Sequence, residues 1–260
     1  MKRVILTTSA CILLLANWTA RTQTPDASRW LIEAKQHLQQ GDNTARAECF
    51  EQAKALLSKC AAGEQWRALS EYYLGYADYR LGVVVHRMDK EKSIAYLDSA
   101  VGHLERAIEL QNDLAEAHAL LSSCYGMKIA HAPLKGILLG PKSGKEMEKA
   151  GELSPQNPRV ALLRGISTYN TPSLFGGGKE KGLTELMEAA SLFDRWANAD
   201  SLMLDWGKAE VHAWIGLAHL DRDETILARK AFERALQINP DYGWVRYILL
   251  PKVTSDTGSQ

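Results

Sequence analysis

The chain has 260 residues, 46% of them hydrophobic, with 31 basic and 31 acidic side chains and a formal net charge of zero. That much apolar material excludes a wholly disordered chain. The charge balance argues against a general nucleic-acid binder, which needs a basic excess or stripe to neutralise phosphates.

Lys2-Arg3 precedes the uncharged run Val4–Ala16, a basic n-region followed by an apolar h-region. The run falls short of the roughly 20 apolar residues that a spanning helix needs. Residues 1–20 therefore read as a signal peptide for export to the periplasm, with an uncleaved membrane anchor as the alternative, and 21–26 as a polar linker. Cys49, Cys60 and Cys124 remain, and an odd count is no disulfide framework. Cys49 and Cys60 on one helix stand roughly 16 Å apart, too far to bridge. All three read as buried free thiols.

Residues 27–250 carry the helical period almost throughout. Trp30, Leu31, Ala34 and Leu38 mark a first helix ended at Gly41-Asp42-Asn43, and Ala45–Lys59 forms its partner. A longer helix spans about Gln65–Val85, Asp89 caps Lys90–Leu110, and Leu114–Lys128 follows. Ile129–Lys145 holds Pro and Gly throughout and is expected to break regular helix before a short helix, Glu146–Leu153. Pro158–Tyr169 opens the next hairpin, Asn170–Gly178 interrupts it, and Lys179–Phe193 resumes it. Asp194–Trp206 reads as a connector. Ala209–Tyr242 forms two helices about the turn Asp221–Glu224, ended by Asn239-Pro240. Tyr242–Leu250 is a short capping helix stopped by Pro251, and 251–260 is a polar tail.

The second helices repeat a pattern. Ala228-x3-Phe232-x2-Ala235-Leu236-x3-Pro240 returns as Ala100-x3-Leu104-x2-Ala107-Ile108 and as Ser143-x3-Met147-x2-Ala150-x4-Pro155. It returns again as Gly182-x3-Leu186-x2-Ala189-Ala190, and in part as Phe50-x2-Ala53. The first helices carry Leu74-Gly75, Leu121-Ser122, Arg164-Gly165 and Ile215-Gly216 at matching places. Small residues at fixed places let helices approach, and larger ones fill the gaps.

This pattern resembles the tetratricopeptide repeat, a helix–turn–helix unit of about 34 residues. The match is closest over 209–242 and looser over 27–245. LSPQNPRVALLRG, TPSLFGGGKEKG and NPDYGWVRYILLPK, together with the leader, are similar to exported bacterial tetratricopeptide proteins of unassigned activity. The resemblance implies an all-α fold: an α-solenoid of about five antiparallel helical hairpins, wound as a right-handed superhelix, with a short C-terminal capping helix. It also implies that first helices line a concave groove. That places Tyr72, Tyr76, Tyr79, Leu162, Ile166, Tyr169, Leu217 and Leu220 there. The basic and amide cluster with which many such domains hold chaperone C-termini is missing from the matching positions.

Tyr72, Tyr76 and Tyr79 share one helical face. They form either an aromatic strip for a peptide or apolar ligand, or packing against the next hairpin. Phe175, Gly176, Gly177, Gly178 and Lys179 form a second candidate, since glycines before a helix can cradle an anion. A tight turn is the simpler reading of the same residues. Gly136–Ser143 fails phosphate-loop spacing, because Pro141 stands where the second glycine belongs. His212 and His219 lie roughly 10 Å apart along a helix, too far for one ion. No catalytic motif stands out, so no catalytic residue, metal or cofactor is expected. The expected function is a non-enzymatic scaffold or adaptor of the cell envelope, binding an unidentified protein or peptide. No nucleic acid is expected, and membrane contact only through the N-terminal segment. The alternative is a small-molecule carrier or sensor. A closed cavity beside Tyr72–Tyr79 or Phe175 favours the carrier; an open, shallow groove favours the scaffold.

Overall fold

The computed structural model describes residues 25–197, 202 and 205–254. The expected leader, most of the expected linker and the end of the tail lie outside the described residues. Helices α1 Pro25–Thr44, α2 Ala47–Ala61, α3 Arg67–Val85, α4 Lys90–Leu110, α5 Ala115–His131 and α6 Gly136–Leu153 are followed by α7 Pro158–Asn170 and α8 Lys179–Arg195. The chain continues with α9 Lys208–Leu220, α10 Thr225–Ile238 and α11 Leu250–Thr254. The first ten pair as five antiparallel hairpins, each packed on the next, which is the expected tetratricopeptide-like α-solenoid. Polar caps set several starts: Asp89 accepts the Lys92 amide at 2.9 Å. Asn157 accepts the Arg159 amide at 3.0 Å, with Pro158 in the first turn of α7.

The repeated residues pair with one another. A Cβ added at Gly75 would lie 2.6 Å from Leu104 Cγ, and one at Gly165 would lie 2.9 Å from Leu186 Cγ. One at Gly216 would lie 2.5 Å from Phe232 Cδ1. The small residue of each first helix is thus the socket for the large residue of its partner, and Leu104, Leu186 and Phe232 are fully buried there. In the third hairpin the socket is polar: Ser122 and Ser143 hydroxyls meet at 2.9 Å.

Three boundaries differ from expectation. Helix α1 begins at Pro25 and continues past Gly41-Asp42-Asn43 to Thr44. Gly41 packs rather than breaks, since its missing side chain leaves room for the Phe50 ring, 2.7 Å from where a Cβ would sit. Between Ile129 and Lys145 the chain is mostly regular. Helix α5 runs to His131, a 3-10 turn covers Pro133–Lys135, and α6 starts at Gly136 with Pro141 inside it. Pro141 removes the amide that would donate to the Ile137 carbonyl, near the start of α6 on a solvent-exposed stretch where Ile137 is 80% exposed. Nor does Pro251 stop the last helix. A π-helical segment, Trp244–Leu249, runs into α11. Leu249 and Val253 are buried on either side of Pro251, and Arg229 Nη2 donates to the Val253 carbonyl at 2.6 Å. Burial there outweighs the local cost of the proline.

The superhelix returns on itself. Asn239 Nδ2, after α10, donates to Asn43 Oδ1 at 2.7 Å, near the end of α1. Gly243 passes the same place, where a Cβ would lie 2.5 Å from the Asn43 carbonyl oxygen. The segment after α8 bridges the turns of the solenoid: Trp206 packs against both the core of the first three hairpins and the core of the fourth and fifth. Among the described residues no helix is long and apolar enough to cross a membrane.

Candidate functional site

Where the first and last hairpins meet, they flank a partly open cleft of about 490 Å³. Its walls are the later turns of α1 (Lys35, Leu38, Gln39, Asp42, Asn43), one face of α3 (Tyr73, Tyr76, Arg80) and the segments 205–210 and 238–242. The volume falls in the range of about 300–1,000 Å³ typical of small-molecule sites.

Arg80 organises the floor. Its Nε lies 2.7 Å from Asp42 Oδ1 of α1, and its Nη1 lies 3.1 Å from Glu210 Oε1 of α9. Tyr76 donates to Asp42 Oδ2 at 2.7 Å. One guanidinium therefore ties the first, second and fifth hairpins, with its planar fork engaging two carboxylates. Burial pushes the Asp42 carboxyl up to about 6, against the opposing pull of Arg80 and the Tyr76 hydroxyl. Trp206 lies over Tyr76, ring centroids 5.1 Å apart, and its Nε1 donates to the Tyr72 hydroxyl at 3.0 Å. Lys35 pairs with Asp205 at 3.3 Å. The Tyr73 hydroxyl is buried in the wall and has no hydrogen-bond partner.

Only Tyr76 of the eight expected groove residues lines this cleft. Tyr72 is fully buried beneath Trp206, and Tyr79 is half-buried outside the cleft. Leu162 is wholly inside the core of the fourth and fifth hairpins, with Ile166 packed on it. Tyr169 is buried and donates to Asp221. Leu217 and Leu220 pack on the C-terminal core. An open aromatic groove is therefore not what these residues form. Trp206 covers the tyrosine face, as the sequence period alone does not reveal.

The glycine loop is a turn. The amides of Gly176, Gly177 and Gly178 already donate to the carbonyls of Ser173, Pro172 and Thr168 at 3.0, 3.3 and 2.9 Å, so none of the three glycine amides is left to cradle an anion. Gly176 and Gly178 have φ of +83° and +135°, where a side chain is strained. Lys179 pairs with Asp221, and Phe175 points into solvent. His118 pairs with Glu146 and His219 with Glu224, each at 2.6 Å. Among the described residues no group of three or more His, Cys, Asp or Glu is placed to hold a metal ion.

Asp42, Tyr73, Arg80, Trp206 and Glu210 had no local signal. Arg80 and Glu210 are 130 residues apart, and only the closing of the superhelix brings them together.

The chain matches no family model, and no curated protein sequence matches it. Several solved structures are similar over most of its length. The HusA haemophore from Porphyromonas gingivalis is 22% identical, with a TM-score of 0.62, over 77% of this chain and 96% of that one. A thermophilic TPR protein from Thermus thermophilus is 15% identical, with a TM-score of 0.58, over 86% of this chain and 98% of that one. Together with the five paired hairpins, these likenesses assign the chain a tetratricopeptide-like α-solenoid fold.

Proposed function

We propose that this chain is a non-enzymatic carrier that holds a small amphipathic ligand in the cleft between its first and last hairpins. The observation that carries this reading is the cleft itself. Where the first and last hairpins meet they leave a partly open space of about 490 Å³, lined by buried tyrosines and Trp206. The wall suits such a ligand, with Leu38, Tyr73, Tyr76 and Trp206 for an apolar body. The Tyr73 hydroxyl, which has no hydrogen-bond partner among the described residues, serves its polar groups. The likeness to a protein named a haemophore supports a carrier and makes haemin the first probe. The basic Lys2-Arg3 and the apolar run Val4–Ala16, read as part of a signal peptide over residues 1–20, support export to the cell envelope.

Haemin titration followed by its absorbance tests the reading. Saturable binding at one site is expected. Gln39→Trp, a substitution at an exposed position on the cleft wall, should weaken it about tenfold with the melting temperature unchanged. If neither haemin nor a set of small amphipathic compounds raises the melting temperature, while an envelope protein is captured equally by wild type and Gln39→Trp, the carrier reading fails. A scaffold then takes its place.

A further inference from the structure

The turns that join first to second helices share one edge of the solenoid. Helices α5 and α7 begin side by side, where Asn157 Nδ2 donates to Glu116 Oε1 at 2.7 Å, and they run parallel, so the turns after both emerge together. The turn after α3 lies beside them, with His86 Nδ1 3.0 Å from His131 Nε2 at the end of α5. On this edge large apolar side chains face water. Leu134, Ile137 and Leu138 of the third hairpin, Leu174 and Phe175 of the fourth and Met88 of the second are each at least 73% exposed.

The charge beside the third hairpin's share of this edge is one-sided. Residues 129–145 hold Lys135, Lys142 and Lys145, all exposed, and no acidic residue. Lys142 and Lys145 follow Leu138 by four and seven positions on α6, so they share its face. Of the acids at this edge, Asp89 caps α4 and Glu180 pairs with Arg222 at 3.3 Å, while Glu91 in the first turn of α4 is exposed. A folded partner would need separate pockets for apolar tips on three different turns. A lipid surface meets all of them at once, with apolar depth below and phosphates at the height of the lysine ends.

We propose that this edge docks on an anionic lipid bilayer. Leu134, Ile137, Leu138 and Phe175 enter the boundary between headgroups and acyl chains. Lys135, Lys142 and Lys145 lie against lipid phosphates. The contact is separate from the cleft, and it adds a membrane-facing surface beyond the N-terminal segment.

The test is co-sedimentation of the full chain with phosphatidylcholine vesicles, with and without phosphatidylglycerol. Two variants accompany it, Lys135→Gln/Lys142→Gln/Lys145→Gln and Leu134→Ser/Ile137→Ser/Leu138→Ser. All positions are exposed, and melting curves confirm that each variant folds. Binding is expected only with phosphatidylglycerol, weakening as salt rises. The lysine variant should bind about a hundredfold less tightly, the effect of removing three charges near an anionic surface. Vesicles should slow amide exchange over 134–145 and 173–178. Equal binding to both vesicle types overturns the proposal. So does binding undiminished in the variants, which would belong to the apolar run at 4–16. Self-association that the leucine variant abolishes, without any vesicle binding, assigns the edge to a second copy and also overturns it.

Discussion

Arg80→Ala is expected to destabilise the protein by about 3–5 kcal/mol near neutral pH, read from urea unfolding, because it strips the shared cation from the two buried carboxylates that it contacts. The side chains of Arg80, Asp42 and Glu210 are 14%, 19% and 17% exposed, so water does little to screen the charges left behind. Without Arg80, Asp42 and Glu210 face one another across the junction of α1 and α9, and the first and last hairpins should part. The loss should shrink in acid. Burial raises Asp42 from its ordinary 3.8 to about 6 in the native protein. The folded state therefore holds a proton that the unfolded state releases between those values. The stabilisation from Asp42 is complete below about pH 4 and is lost as pH rises through about 6, a change of about 3 kcal/mol for a rise of that size. Asp42→Asn keeps an acceptor for the Tyr76 hydroxyl and removes the titration. Its stability should be flatter than wild type across pH 4–7. A variant with the wild-type slope would show that Asp42 is not the group responsible.

The fold was far more legible than the site, for a physical reason. Helix faces and socket pairs are local: Gly216 and Phe232 lie sixteen positions apart, and although the turns stretch that separation to 21 for Gly165 and Leu186 and 29 for Gly75 and Leu104, the pattern within each helix recurs closely enough to be recognised. The cleft depends on how many small rotations accumulate before the solenoid meets itself, a property of the whole stack. That is why Tyr72 reads as a groove residue by period and lies beneath Trp206 in space. Trp206 itself sits in a segment without helical period. Proline misled at Pro141 and Pro251 for the opposite reason. The local rule holds, but solvent near the start of α6 and buried neighbours around α11 absorb its cost. At Phe175–Lys179 the simpler turn agrees with the amide bonding, since every glycine amide is already used.

Gly182→Ala and Gly216→Ala should both destabilise, but only the second should be rescued by trimming its partner. At Gly216 the added methyl meets the Phe232 ring, a side chain that can be shortened. Overpacking of this kind costs about 1–3 kcal/mol, partly offset by the roughly 1 kcal/mol that alanine gains over glycine inside a helix. Phe232→Leu removes the ring atoms responsible and leaves a residue that fits the same socket at Gly75 and Gly165, where Leu104 and Leu186 stand. The double variant should therefore recover about 1–2 kcal/mol relative to additivity in a double-mutant cycle. At Gly182 the added methyl lies 2.5 Å from Tyr169 Cα and Cβ and 2.6 Å from its amide nitrogen. Those atoms belong to α7 itself and survive any side-chain truncation, so α7 and α8 must move apart. The expected cost is about 3 kcal/mol or more, and Tyr169→Ala should not restore it. Equal rescue at both sites would mean that α7 and α8 yield as easily as a ring does. No rescue at either would mean that the glycine-to-large pairing is not what sets the spacing within the hairpins.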